Sequence, residues 1–246
     1  MAELTITLPD GSTRNLPEGA TGADLAADIG PGLAKAALGV TVDGDARDLD
    51  RVLPDGSTVS IITADSDDGL HTIRHSTAHV LAQAVLDLWP GATYAIGPPI
   101  QDGFYYDFEL PGGATFSNED LEAIEARMRQ VIDADQAFER HEAKADEALE
   151  LFSGHPYKQE IIEQVTSGAA TGELAGEAST DGSVTYYRNG EGFIDLCLGP
   201  HVPSTGRLGH FALQKVAGAY WRGDETKPML QRIYGTAWAD KKALKG

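Results

Sequence analysis

The chain of 246 residues has one cysteine, Cys197, so no intramolecular disulfide can staple it and its stability must come from packing. No run approaches the roughly 18 apolar residues of a membrane helix. The opening MAELTITLPDG shows neither the basic nor the apolar segment of an export signal. A folded protein of the reducing cytoplasm, without a membrane partner, is expected. Basic residues are scarce as well: 19 Lys+Arg against 38 Asp+Glu leave a net charge of −19, which argues against capturing nucleic acid by bulk attraction. The scarcity is uneven. Residues 201–246 hold 8 Lys/Arg and 3 Asp/Glu, a local +5, which leaves −24 for residues 1–200. Any polyanion is therefore expected at the C-terminal part or on a further domain. A Gly-x-x-x-x-Gly-Lys-Ser/Thr phosphate loop is absent, and Gly30-Pro31-Gly32 and Gly190-Glu191-Gly192 lack the third glycine of a dinucleotide fingerprint.

What is present is enough for a core: 41% of the residues are hydrophobic and 23% charged, a globular composition. Up to about Ala64 the pattern reads as a small α+β unit. Leu4, Ile6 and Leu8 alternate, Pro9-Asp10-Gly11-Ser12 turns the chain, and Thr21 caps a helix bearing Leu25 and Ile29 that Gly30-Pro31-Gly32 ends. Strands at Val40–Val42 and Thr58–Ile62 complete the order ββα then ββ, suggesting a ubiquitin-like β-grasp. The acidic stretch Ala64–Gly69 is the expected flexible boundary, giving domains 1–64 and 65–246. The larger part is expected to pack helices on a mainly antiparallel sheet, an α+β class. Its signals are a helix to about Leu88, a capping box at Ser117–Asp120, a hairpin turned by Asn189-Gly190, and a loop over 166–182.

Two pairs of reactive side chains stand out. His75 and His79, four residues apart on a helix, share a face turned from the main apolar stripe. In Cys197-Leu198-Gly199-Pro200-His201 the same spacing recurs where Gly199-Pro200 forbids a helix, so thiol and imidazole are presented from a turn. Taken singly, either pair is more often surface or packing; together they make a site for a borderline-soft metal or for water activation. The metalloprotease pattern fails, because position 76 is Ser rather than the Glu of His-Glu-x-x-His.

The strings IRHSTAHVLAQAV, AIGPPIQDGFYYDFEL, DLCLGPHVPSTG and KVAGAYWRGDETKPMLQRIYGTAWADKKAL closely resemble the N-terminal half of bacterial threonyl-tRNA synthetases. The resemblance implies a β-grasp TGS domain followed by the editing domain shared with alanyl-tRNA synthetases. Its four-part signature matches at His75, His79, Cys197 and His201. It further implies a catalytic role for Lys158 and substrate contacts for Gly97, Tyr106 and Asp195. No counterpart of the ATP-binding motifs is seen, so ATP-dependent ligase activity is not expected of this chain. The catalytic and anticodon-binding domains of a full-length synthetase are expected partners.

The implied task is proofreading: hydrolysis of the ester on the 3′ acceptor end of a threonine tRNA that wrongly carries serine. A synthetic pocket loses only about 1 to 3 kcal/mol when serine replaces threonine, so a second sieve is required. On this resemblance His75 contacts the terminal ribose or water, His79 and Lys158 order water and charge, and Asp195 meets the seryl amino group. Cys197 is open to three readings: a nucleophile beside His201, a zinc ligand with His75, His79 and His201, or a wall of a metal-free pocket. No cofactor is expected, with zinc as the alternative. A non-catalytic tRNA-docking module with a structural zinc knot is the alternative from a different class.

Overall fold

The computed structural model describes residues 3–170 and 182–245, so most of the expected loop over 166–182 lies outside the described residues. Strands β1 (Glu3–Thr7) and β2 (Thr13–Pro17) form the first antiparallel hairpin. At its turn Asp10 accepts the Ser12 N–H at 2.9 Å, the Asx geometry that Pro-Asp-Gly-Ser favours. Helix α1 (Gly22–Ile29) begins at a full capping box between Thr21 and Asp24, and α2 (Pro31–Ala36) follows. Then β3 (Ala37–Val42), β4 (Asp45–Asp48) and β5 (Val59–Thr63) make a sheet ordered β4-β3-β5. A parallel bridge between Thr7 and Thr58 ties the hairpin to that sheet, so the layout is the expected β-grasp. Ile6, Leu25, Ala26, Ala37, Val40 and Val59 are its fully buried core. Strand β4 was not expected. Its sequence, DARD, lacks apolar alternation, and it pairs because the Asp43-Gly44 turn folds it back on β3.

The acidic stretch is not a free linker. Ser66 caps α3 (Asp67–Leu88), placing Asp67 and Asp68 in the first turn, where carboxylates favour the helix dipole. Gly69 is pressed onto β5, since a Cβ there would lie 1.9 Å from the Thr63 carbonyl oxygen. Two antiparallel sheets flank α3. One runs β12-β13-β8-β6, from β6 (Thr93–Tyr94), β8 (Gly103–Glu109), β12 (Phe211–Tyr220) and β13 (Met229–Ala237), with β7 (Pro99–Ile100) beside β8. Helix α4 (Asn118–Asp133) starts at the Ser117–Asp120 capping box and packs on α3. The other sheet is β11-β10-β9, from β9 (Phe138–Lys144), β10 (Ser183–Asn189) and β11 (Phe193–Leu196). Helices α5 (Ala145–Leu151) and α6 (Pro156–Thr166) follow β9, and a short α7 (Lys241–Lys245) closes the described chain.

Helix α3 is covered on the histidine face as well as on its apolar stripe. Every residue from Ser76 to Val85 is buried, because α4 and β8 cover one face while β11 and the loop after it cover the other. Among the described residues no helix is long and apolar enough to cross a membrane.

Candidate functional site

Helix spacing sets the first pair: the imidazoles of His75 and His79 meet edge to face with ring centres 5.2 Å apart. The second pair comes from the loop after β11. The Cys197 amide still donates to the Thr185 carbonyl at 3.1 Å, extending the hairpin by one residue. The chain then turns through Gly199, at φ +78°, and returns His201 over the helix. The turn needs glycine for a second reason, since a Cβ at 199 would lie 2.1 Å from the Tyr187 hydroxyl oxygen. His201 lies between the helical histidines, 4.3 Å from the His75 ring and 4.1 Å from the His79 ring, and stacks flat on Phe138 at 4.7 Å.

Cys197 and His201 need not be close across a Gly-Pro turn, yet Sγ and Nε2 are 3.0 Å apart. The other ring nitrogen, Nδ1, is 2.9 Å from the Ser76 hydroxyl, which also accepts the Val202 N–H at 3.1 Å. Position 76 thus has its own task, holding the loop on the helix. Asp48 of β4 also reaches in and accepts the His201 N–H at 2.8 Å and the Tyr187 hydroxyl at 2.5 Å. Burial pushes its carboxyl up from the ordinary carboxylate range, and those two hydrogen bonds pull it partly back.

Beside the cluster lies a second constellation. Lys158, on α6, is 2% exposed, and its ammonium meets the 1% exposed Asp195 carboxylate at 2.5 Å. The Tyr106 hydroxyl closes the triangle, accepting from Lys158 at 2.9 Å and donating to Asp195 at 2.6 Å. The face of Tyr94 lies 4.7 Å from the ammonium, a cation–π contact in a dry setting. His79 approaches the same carboxylate at 3.5 Å. Lys158 is therefore not a solvated helix residue, nor Asp195 an open hairpin-end carboxylate. Gly97 is where backbone must touch Tyr106, since a Cβ there would lie 2.0 Å from the ring.

One cavity of about 260 Å³ is lined by His75, His79, Gly97, Tyr106, Lys158, Asp195 and Cys197, with His201 packed behind them. Drug-sized ligand sites run about 300–1,000 Å³, so this one suits a group of amino-acid size. The imidazoles are held uncharged. Burial, then repulsion from His79 and His71, lowers His75 to about 3. Burial and the Lys158 charge hold His79 well below its ordinary value, and burial with the neighbouring imidazoles does the same for His201. Sequence reasoning overlooked His71 at the mouth, one helical turn before His75 on the same face. It also missed Tyr94, Tyr187 and Asp48. Helical spacing points to His71; the rest are neighbours only in space.

The four ligand atoms of His75, His79, Cys197 and His201 lie within 4.8 Å of one another. Tetrahedral zinc, with bonds of about 2.0–2.3 Å, needs ligand atoms roughly 3.5 Å apart, so the donor set fits such an ion with small adjustments.

Two arginines of the basic C-terminal part are engaged within the protein. Arg232 makes a two-pronged ion pair with Asp107 at 2.7 and 2.9 Å and stacks on Tyr105 at 3.8 Å. Arg222 reaches Glu160 at 3.4 Å.

A β-grasp unit joined to an α+β domain with this His/Cys constellation defines a class. Residues 4–63 match the TGS domain, and residues 184–234 match the Threonyl and Alanyl tRNA synthetase second additional domain. More particularly, the chain is similar to the N-terminal region of threonine–tRNA ligases. It is 53% identical over 245 residues to the Threonine--tRNA ligase of Maricaulis maris (strain MCS10), covering 98% of this chain and 36% of that protein. The Acidithiobacillus ferrooxidans (strain ATCC 53993 / BNL-5-31) ligase is 52% identical over 241 residues, 97% of this chain and 35% of that protein. The Rubrobacter xylanophilus (strain DSM 9941 / JCM 11954 / NBRC 16129 / PRD-1) ligase is 47% identical over 241 residues, 98% of this chain and 35% of that protein. The chain thus spans about a third of the length of these relatives.

Proposed function

We propose that this chain is the proofreading part of a threonyl-tRNA synthetase, acting in the cytoplasm on the 3′ end of a threonine tRNA that carries serine. The observation that carries the reading is the juxtaposition, in one cavity of amino-acid size, of uncharged imidazoles with a buried Lys158–Asp195 pair. In this reading water attacks the ester carbonyl carbon while His75, the half-buried imidazole facing the cavity, accepts its proton. The Lys158 ammonium stabilises the carbonyl oxyanion. Collapse breaks the bond to the ribose oxygen, which takes back the proton; free serine and uncharged tRNA leave. Asp195 steadies the transient imidazolium and meets the amino group. The Tyr106 ring against Gly97 forms a fixed wall, which suits rejection of a substrate one methyl larger.

In this reading Cys197 and His201 shape the pocket without a metal, because the chain supplies its own buried cation beside the water. The donor geometry supports a second reading, in which the same four residues hold zinc and the ion supplies a water of lowered pKa.

The test is deacylation of seryl and threonyl esters of the threonine tRNA by the purified chain, with metal analysis alongside. Faster loss of serine, abolished by His75→Ala and indifferent to chelator, is expected. Equal rates on both esters refute the sieve; retained activity in His75→Ala detaches the helix from the chemistry. Stoichiometric zinc whose removal stops hydrolysis replaces the first reading with the second.

A further inference from the structure

Behind the cavity, Asp48 of the β-grasp unit reaches the loop that carries His201. Two donors converge on its carboxylate, the His201 N–H at 2.8 Å and the Tyr187 hydroxyl at 2.5 Å. Tyr187 is fully buried, meets His201 edge to face at 4.5 Å, and leaves Gly199 no room for a Cβ. On the opposite side, Ser76 and Cys197 engage the two ring nitrogens of His201. The loop is thus clamped between the larger domain's helix and a carboxylate from the first 64 residues.

We propose that Asp48 is a positioning residue for this site: it fixes the main chain of His201 and the ring of Tyr187, and so sets where Cys197 and His201 stand in the cavity wall. The β-grasp unit then serves the neighbouring chemistry as a structural brace. The inference rests on the hydrolytic reading for its kinetic consequence alone. Asp48 is 8% exposed, so an apolar residue there would leave a buried N–H and a buried hydroxyl without an acceptor, each costly enough to move the loop. Asparagine keeps one acceptor oxygen and should largely restore the clamp.

Two readouts on the full chain test this: the alkylation rate of Cys197 by iodoacetamide, which needs no catalysis, and kcat and KM for the seryl ester. Asp48→Ala should change alkylation about fivefold or more and lower kcat about tenfold, equivalent to about 1.4 kcal/mol, with KM within about twofold. Asp48→Asn should stay within about threefold of the parent on both, and Tyr187→Phe, which removes one donor, should lie between. Asp45→Ala, on the exposed part of the same strand, should change neither. Parental alkylation and kcat in Asp48→Ala overturn the proposal. If that variant does not fold, parental alkylation in Tyr187→Phe overturns it instead. Should the parent hydrolyse neither ester while alkylation follows the series, the hydrolytic reading fails and the clamp stands.

Discussion

Replacing Lys158 by Met keeps most of the side-chain volume and removes the charge. What remains is the Asp195 carboxylate, 1% exposed, with the Tyr106 hydroxyl as its one strong donor. Breaking a buried pair in this way costs about 3–5 kcal/mol, because desolvation of the surviving charge is no longer offset. In a chain of this size each kcal/mol lowers the melting temperature by roughly 2–4 °C, so a drop on the order of 10 °C is expected. The double variant Lys158→Met/Asp195→Asn removes both charges and leaves an amide beside Tyr106. It should recover most of that loss, since a neutral pair of similar volume often matches a buried ion pair. With the single variant Asp195→Asn added, denaturant unfolding of the parent and the three variants closes the cycle, and the seryl-ester assay should find all three impaired. A double variant whose loss equals the sum of the two single losses would show that the pair carries no mutual dependence, and the account of Asp195 as a compensated buried charge would fall.

Acid should weaken the fold: a buried imidazole held near 3, against an ordinary 6.5, takes its proton far more readily unfolded. Stability is full above about pH 6.5 and falls toward pH 3 by up to about 1.4 kcal/mol per pH unit for each such group. Asp48, raised from 3.8, acts with the opposite sign as pH rises past 3.8, so the net slope is smaller than the histidines alone would give. Denaturant midpoints from pH 8 to 5 measure it; a flat profile contradicts the uncharged cluster. Arg232→Ala should lower stability by about 1.5–3 kcal/mol by unpairing Asp107, yet leave tRNA affinity in a filter-binding assay nearly unchanged. Cys197→Ser should leave measurable hydrolysis, and mass spectrometry of the parent during turnover should find no acyl-enzyme; a trapped ester would establish the thiol as nucleophile.

Much of the backbone was legible because its signals are local. The Ser117–Asp120 box, the Asn189-Gly190 turn and the alternation in β1 each act within a few residues. Strand β4 was not, since nothing in Asp45–Asp48 marks a strand until β3 lies beside it. The same divide runs through the cavity. His75 and His79 are set by helical pitch, whereas the burial of Lys158 depends on Tyr94, Tyr106 and Asp195, all more than 30 positions away in sequence. Ser76 was noticed only as a missing Glu, because its partner His201 is 125 residues distant.

Helix α3 is enclosed on nearly every side from Ser76 to Val85, and that stretch contributes His79 to the wall of the cavity. Elements so enclosed are generally the last to open, exchanging their amide hydrogens only when the whole domain unfolds. A wall of that kind fluctuates little on the timescale of turnover. One methylene is worth only about 0.8 kcal/mol by burial, so a yielding wall would accommodate the larger of two substrates at small cost. Rigidity turns a weak preference into a steric limit. Amide protection along His79–Val85 at the level of global unfolding would therefore be the dynamic signature of a sieve.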